Sequence, residues 1–188
     1  MRVVGIGGTL RPNSSSELLA RAVLDRCAAA GAETRMFEGP FLARLPHYDP
    51  AVPARNDAEA ALVEAVRGAD ALVIATPGYH GGISGLVKNS IDLLEELAGD
   101  ARPYFDGRPV GLLVSAAGWQ AAGITLSALR AVVHAMRGWP TPLGIAINSA
   151  EQKPFAADGT IADPALARQA DLLARQLLDP MRPSNAAA

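Results

Sequence analysis

Ala69-Asp70-Ala71-Leu72-Val73-Ile74-Ala75-Thr76 decides the fold, because its apolar residues run on without the alternation that a one-sided sheet imposes. A strand this apolar is covered on both faces, as in a parallel sheet with helices above and below. Outward from it, short apolar runs recur at Arg2–Ile6, Glu33–Phe37, Val110–Ser115 and Leu143–Ile147. Helical periodicity fills the intervals at Ser16–Ala30, Ala58–Arg67, Gly85–Ala98, Ile124–Met136 and Pro164–Leu178, the last opening with Asp163 as N-cap and Pro164 at the first helical position. The expectation is a three-layer, doubly wound α/β domain of five parallel strands and five helices, with right-handed crossovers. It spans residues 1–179, and 180–188 is expected to be an unpacked tail. The connection Glu38–Asp57, with Pro40, Pro46, Pro50 and Pro53, is long enough to be functional or mobile.

Composition narrows the function. With 188 residues, 49% of them hydrophobic, the chain builds one sizeable core. Seventeen basic against nineteen acidic residues, a net charge of -2, leave no electrostatic footprint for nucleic acid or an anionic membrane. Cys27 is the single cysteine, and His47, His80 and His134 are scattered, so neither a disulfide framework nor a zinc-ligand spacing is present. No stretch approaches 18 unbroken apolar residues, and a cytoplasmic, soluble protein without a metal is expected.

In open α/β sheets ligands bind beyond the carboxyl ends of the strands, which directs attention to three loops. The first, Gly7-Gly8-Thr9-Leu10-Arg11-Pro12-Asn13-Ser14-Ser15-Ser16, leads into a helix whose free N–H groups and dipole favour an anion. Thr9, Ser14, Ser15, Ser16 and Arg11 supply the hydrogen bonds and the fixed charge that a phosphate monoester needs. The same stretch also reads as a capping box, Ser14-x-x-Glu17, and the two readings are compatible. A dinucleotide fingerprint starts at Gly5-Ile6-Gly7 but meets Leu10 at its third position, no P-loop lysine follows, and Gly82-Ile83-Ser84-Gly85-Leu86 is no nucleophile elbow, Ser84 reading instead as a helix cap.

The second loop, Thr76 to Gly85, carries four glycines and Tyr79, and lets backbone approach a flat ring. His80 is either a ligand contact or a surface residue. The third, Ser115-Ala116-Ala117-Gly118-Trp119, is rich in small residues; Trp119 is read as a stacking or anchoring side chain and Trp139 as packing. Together the loops describe an extended ligand with a phosphate at one end and a ring at the other.

These residues resemble the NAD(P)H-dependent FMN reductase family of the flavodoxin-like fold. Gly-Thr-Leu-Arg-Pro-Asn-Ser-Ser-Ser at 8–16 is similar to the family's Gly-Ser-x-Arg-x-x-Ser-x-Asn, and Pro77-Gly78-Tyr79-His80 through Leu86-Val87-Lys88-Asn89-Ser90-Ile91-Asp92 is similar to its Pro-Glu-Tyr-Asn…Leu-Lys-Asn-x-Ile-Asp. Gly78, His80 and Ser84 depart from that pattern. The resemblance implies FMN held by its phosphate on Thr9, Arg11, Ser14, Ser15 and Ser16, with its ring lined by Pro77, Gly78, Tyr79, His80 and Gly81 and its polar edge bordered by Ser115, Ala116 and Gly118. It implies NADPH or NADH as hydride donor, a small acceptor such as a flavin, quinone or azo compound, no obligatory protein acid or base, and a homodimer or homotetramer through the helix Leu86–Leu97. That helix is apolar on two stripes, Leu86, Leu93, Leu97 and Val87, Ile91, Leu94, broader than one core face requires. The alternatives are a flavodoxin-like electron carrier, an FMN-dependent dehydrogenase of one pathway, and a flavin-free dinucleotide dehydrogenase; the mild net charge speaks against the first and Leu10 against the last.

Overall fold

The computed structural model describes residues 1–52 and 55–180. Pro53 and residues 181–188 of the expected tail lie outside the described residues. Along the chain come β1 (Arg2–Gly7), α1 (Ser15–Ala29), β2 (Glu33–Phe37), α2 (Gly39–Leu42), α3 (Asp57–Arg67), β3 (Ala71–Tyr79), β4 (Gly82–Ile83), α4 (Gly85–Asp92) with a 3₁₀ continuation (Leu93–Leu97), β5 (Pro109–Ala116), α5 (Trp119–Ala135), β6 (Trp139–Asn148) and α6 (Pro164–Leu178). The parallel strands lie in the order β2-β1-β3-β5-β6, and β4 pairs antiparallel with the end of β3. Counting the parallel strands alone, this is the 2-1-3-4-5 order of the flavodoxin-like fold.

The unbroken apolar strands do what their composition requires. Val3, Val73, Leu113 and Ile145 face a layer made by α1 and α6, while Val4, Leu72, Leu112 and Val114 face α3, α4 and α5. Local signals set the helix starts. Asn56 accepts from the N–H groups of Ala58 and Glu59 while Glu59 returns a bond to the Asn56 N–H, closing a capping box on α3. Asp163 accepts from Ala165 N–H at 2.8 Å, with Pro164 behind it, as the sequence predicts.

The structure revises the expectations at five places. The stretch Glu38–Asp57 is tied down where it is described: it contains α2, buries Leu42 and Leu45, and is held by Asn89, which accepts from Tyr48 N–H and donates to the Pro46 carbonyl, both at 2.9 Å. The two apolar stripes of 86–97 need no second subunit, because the backbone tightens to 3₁₀ at Leu93 and turns Leu93, Leu94 and Leu97 inward together with Val87 and Ile91. α5 begins at Trp119, five residues before the periodic stretch, and β6 begins at Trp139 despite Pro140 and Pro142. Trp139 is exposed, not packed.

β6 tolerates its prolines because it is an edge strand with an irregularity. The register with β5 jumps from Val110↔Pro140 to Leu112↔Gly144. In the offset segment the Arg130 guanidinium donates to the carbonyls of Thr141 and Pro142, and Leu143 N–H donates to the Gln176 carboxamide.

Candidate cofactor site

The β1–α1 loop is shaped by contacts that admit only glycine. Gly7 has φ +155° and a Cβ there would stand 2.1 Å from the Ala75 carbonyl oxygen, so β1 and β3 close tightly just where their loops diverge. Asn13 takes a left-handed φ of +54°, a conformation asparagine tolerates better than most residues. Thr9 folds its hydroxyl back on Arg11, accepting from Arg11 N–H at 3.1 Å. The Arg11 side chain is exposed and makes no ion pair among the described residues. At the helix start Ser14 accepts from Glu17 N–H at 3.4 Å and shares a 3.3 Å hydrogen bond with the Ser16 hydroxyl. The N–H groups of Ser15 and Ser16 find no acceptor among the described residues.

The capping box is thus half formed. Glu17 does not reach back to Ser14; its carboxylate pairs with Arg21 at 3.0 Å, and Arg21 pairs also with Glu38 at 2.6 Å. Glu17 Oε2 is buried beside Gly8 without a partner among the described residues.

The second loop is a hairpin. Tyr79 pairs with Gly82 across β3 and β4, and His80 and Gly81 between them have φ +52° and +77°, the sign that both central residues of a type I′ turn require. His80 therefore has a backbone role, and its exposed ring lies on the turn. Thr76 anchors the hairpin from below, accepting from Ser84 N–H at 3.0 Å, and Ser84 in turn caps α4 by accepting from Val87 N–H. Gly78 lies under α5. A Cβ there would stand 2.8 Å from Thr125 Oγ1 and 2.9 Å from Ala116 Cβ, so no side chain fits at this position while α5 stays in place. Thr125 Oγ1 is buried and has no partner among the described residues.

β5 delivers the third loop beside the second, with Ser115 paired to Pro77 in the sheet register. Gly118 has φ +122°, and nothing lies within 4 Å of the place its Cβ would occupy. Its N–H is engaged, donating to Asn148 Oδ1 at 2.9 Å, so what Gly118 offers a ligand is close approach instead of a hydrogen bond. Trp119, half exposed, is the first residue of α5 and donates its indole N–H to Glu151 at 3.2 Å. α5 has no side-chain cap, and the N–H groups of Trp119, Gln120 and Ala121 find no acceptor among the described residues.

The structure brings the three loops together at the carboxyl ends of the neighbouring strands β1, β3 and β5. Asn148, Thr125, Thr76 and Gly39 act there without a sequence signal of their own, since each works through a partner distant in the chain. The donor set fits FMN: N–H groups without an acceptor among the described residues and Arg11 suit a phosphate, and glycine-lined loops beside an uncapped helix start suit a ring with a polar edge.

Glycine- and hydroxyl-rich loops at the crest of a 2-1-3-4-5 sheet define a flavodoxin-like nucleotide-binding protein. The family model of the NADPH-dependent FMN reductases matches residues 1–153. The FMN-dependent NADPH-azoreductase of Staphylococcus aureus is 30% identical over 159 residues, covering 80% of this chain and 79% of that protein. The chain belongs to the NADPH-dependent FMN reductase family and is an FMN-dependent NAD(P)H oxidoreductase. Among solved structures, the NAD(P)H:(acceptor) oxidoreductase of Paracoccus denitrificans superposes with a TM-score of 0.73 at 22% identity, over 94% of this chain and 97% of that one. A flavodoxin of Streptococcus pneumoniae TIGR4 superposes with a TM-score of 0.64 at 13% identity, over 95% and 98%. These two share the fold.

Proposed function

We propose that the enzyme reduces a small, planar, largely apolar acceptor of the quinone or azo type, azo reduction being the activity in the name of the Staphylococcus aureus relative. The observation that carries this reading is the rim of the site: Leu10, Tyr79, Trp119 and Ile124 are exposed large apolar side chains, all on or beside the three loops. Bound FMN supplies hydride acceptance from NAD(P)H and its onward delivery. The chain's own task is to hold and orient, with Thr9, Arg11, Ser14, Ser15 and Ser16 on the phosphate, Pro77 to Gly81 along the ring, and Ser115, Ala116 and Gly118 at its polar edge. No side chain is assigned as acid or base. A flat acceptor slides over glycine-lined backbone, and apolar rim residues favour it through the water they release.

Residues 1–179 form one FMN-binding unit in this reading, located in the cytoplasm, where reduced pyridine nucleotide is at hand. It assembles as a homodimer or homotetramer. With the apolar stripes of 86–97 turned inward, the part of that helix left to meet a second copy is Leu86 together with the polar residues Lys88, Asn89, Glu95 and Glu96. Light scattering at micromolar concentration tests the assembly.

The function is tested on protein reconstituted with FMN, desalted, and mixed with NADPH or NADH without oxygen. The yellow absorbance is expected to bleach, and to return on adding a quinone or an azo dye. Retained flavin that does not bleach makes the protein a carrier or a dehydrogenase fed by another donor. Bleaching followed by reoxidation with free flavin alone, and not with quinone or azo compound, overturns the acceptor class.

A further inference from the structure

We infer that Asn148 is a positioning residue of the redox site: its carboxamide oxygen draws in the Gly118 N–H and so aims the uncapped start of α5 at the edge of the bound ring. The inference rests on the proposed placement of Ser115, Ala116 and Gly118 at the ring's polar edge.

Asn148 is the last residue of β6 and is 1% exposed. Two backbone donors converge on its Oδ1, Gly118 N–H at 2.9 Å and Ala150 N–H at 3.1 Å. Two donors demand an acceptor, which fixes the amide with its oxygen toward the loop. The residue is itself gripped: its own N–H donates to Gln152 Oε1 at 2.8 Å, and the adjoining Ser149 N–H donates to the Ala116 carbonyl at 2.9 Å. The end of β6 therefore holds Ala116 and Gly118 at two points, one on each side of Ala117.

The direction of that grip matters because Gly118 is the N-cap of α5 and brings no side chain to it. With the Gly118 N–H shared between Asn148 Oδ1 at 2.9 Å and the Ala116 carbonyl at 3.1 Å, the next three N–H groups, on Trp119, Gln120 and Ala121, find no acceptor among the described residues. Nothing lies within 4 Å of the place a Gly118 Cβ would occupy. A bare helix start of this kind carries positive potential and suits a group that becomes more negative, as a flavin ring does on reduction. The amide is the right chemistry for holding it. A carboxylate accepts the same two N–H groups, but its negative charge offsets the positive potential that the helix start presents to a ligand.

The test compares the affinities of oxidised and reduced FMN, titrated anaerobically with the wild type, Asn148→Asp and Gln152→Leu. Asn148→Asp keeps shape and acceptor, so oxidised FMN is expected to bind within about threefold of the wild type, and reduced FMN to bind about tenfold more weakly, the size of a helix-terminus effect in a partly buried setting. Gln152→Leu frees the Asn148 N–H but leaves the Asn148 carboxamide on the Gly118 N–H, and is expected to weaken both states alike. If Asn148→Asp fails to fold, Asn148→Ser takes its place, since its hydroxyl is too short to reach Gly118 N–H and the ratio is expected to shift in the same direction. An unchanged ratio in a folded Asn148 variant overturns the inference. A wild-type protein that binds neither form overturns the FMN site itself, and the two failures are distinct.

Discussion

Gly39 and Thr9 meet so closely that a Cβ on Gly39 would stand 1.9 Å from the Thr9 carbonyl oxygen. The start of α2 is thereby wedged against the loop that leads to Arg11, and the contact is backbone on backbone, with no flexible side chain to give way. Gly39→Ala is expected to cost about 1–3 kcal/mol of stability, as overpacking does, and to weaken FMN binding, while Gly123→Ala, in α5 with nothing near its Cβ, is expected to stabilise by about 0.5–1 kcal/mol. Urea unfolding and fluorescence titration with FMN give both numbers.

Arg11 is exposed and without an ion pair among the described residues, so its charge is available to a phosphate at little structural cost. Arg11→Ala is expected to leave the unfolding midpoint unchanged and to raise the FMN dissociation constant about tenfold or more, the loss of one charge-assisted hydrogen bond of about 1.5–3 kcal/mol. Enzyme saturated with FMN is expected to turn over as the wild type does. Unchanged FMN affinity would remove the phosphate from this loop.

His80 sits at φ +52° in the two-residue turn between β3 and β4. His80→Asn is expected to preserve or raise stability, since asparagine favours this conformation, whereas β-branched His80→Val is expected to lose about 1–2 kcal/mol. Thermal melts of the two variants decide; equal effects would mean that the ring, not the backbone, matters.

Cys27 is fully buried in α1, and desolvation raises its thiol from 9.0 to about 11. Between those values the native protein keeps a proton that the unfolded chain has released, so stability falls as pH rises through that window. The thiol is expected to resist an aromatic disulfide reagent at pH 8 until denaturant is added. Cys27→Ala is expected to remove its share of the alkaline slope in urea midpoints measured from pH 8 to 11.

Arg108 is fully buried and makes no ion pair among the described residues; its guanidinium donates instead to the carbonyls of Ala69, Tyr104 and Arg67 at 2.9, 2.6 and 2.9 Å. Burial lowers its pKa well below the usual guanidinium range, to about 10. Those bonds pin the turn before β3 to the turn before β5. Arg108→Ala leaves three carbonyls wanting donors and is expected to destabilise by about 3 kcal/mol or more, while FMN affinity at saturating stability is expected to hold.

Much of this was legible in the chain. The strand runs, the Asp163-Pro164 start of α6 and the Ser84 cap depend on neighbours a few residues away, which is the range over which a sequence can be read directly. The tightening at Leu93 was not, because both a wide α-helical stripe and a 3₁₀ turn accept the same leucines, and only the layout of the core chooses between them. The extent of β6 was hidden by Pro140 and Pro142, whose ladder role is relieved by Arg130 and Gln176 from two other helices. At the site, the loops announced themselves through glycine and hydroxyl content. Asn148 and Thr125 did not, since an asparagine at a strand end and a threonine inside a helix acquire meaning only when Gly118 and Gly78 are brought beside them.

The same Arg130 and Gln176 contacts have a bearing on crowded solution. A sheet margin with free carbonyls and N–H groups recruits further strands from other molecules, and proteins counter this with bulges, prolines and charge. Here two prolines, an offset register and two borrowed side chains occupy the outer rim of β6 at Thr141, Pro142 and Leu143. That stretch is closed to sheet extension, which lets an enzyme with an open, apolar crest be concentrated without adding strand to strand along this side.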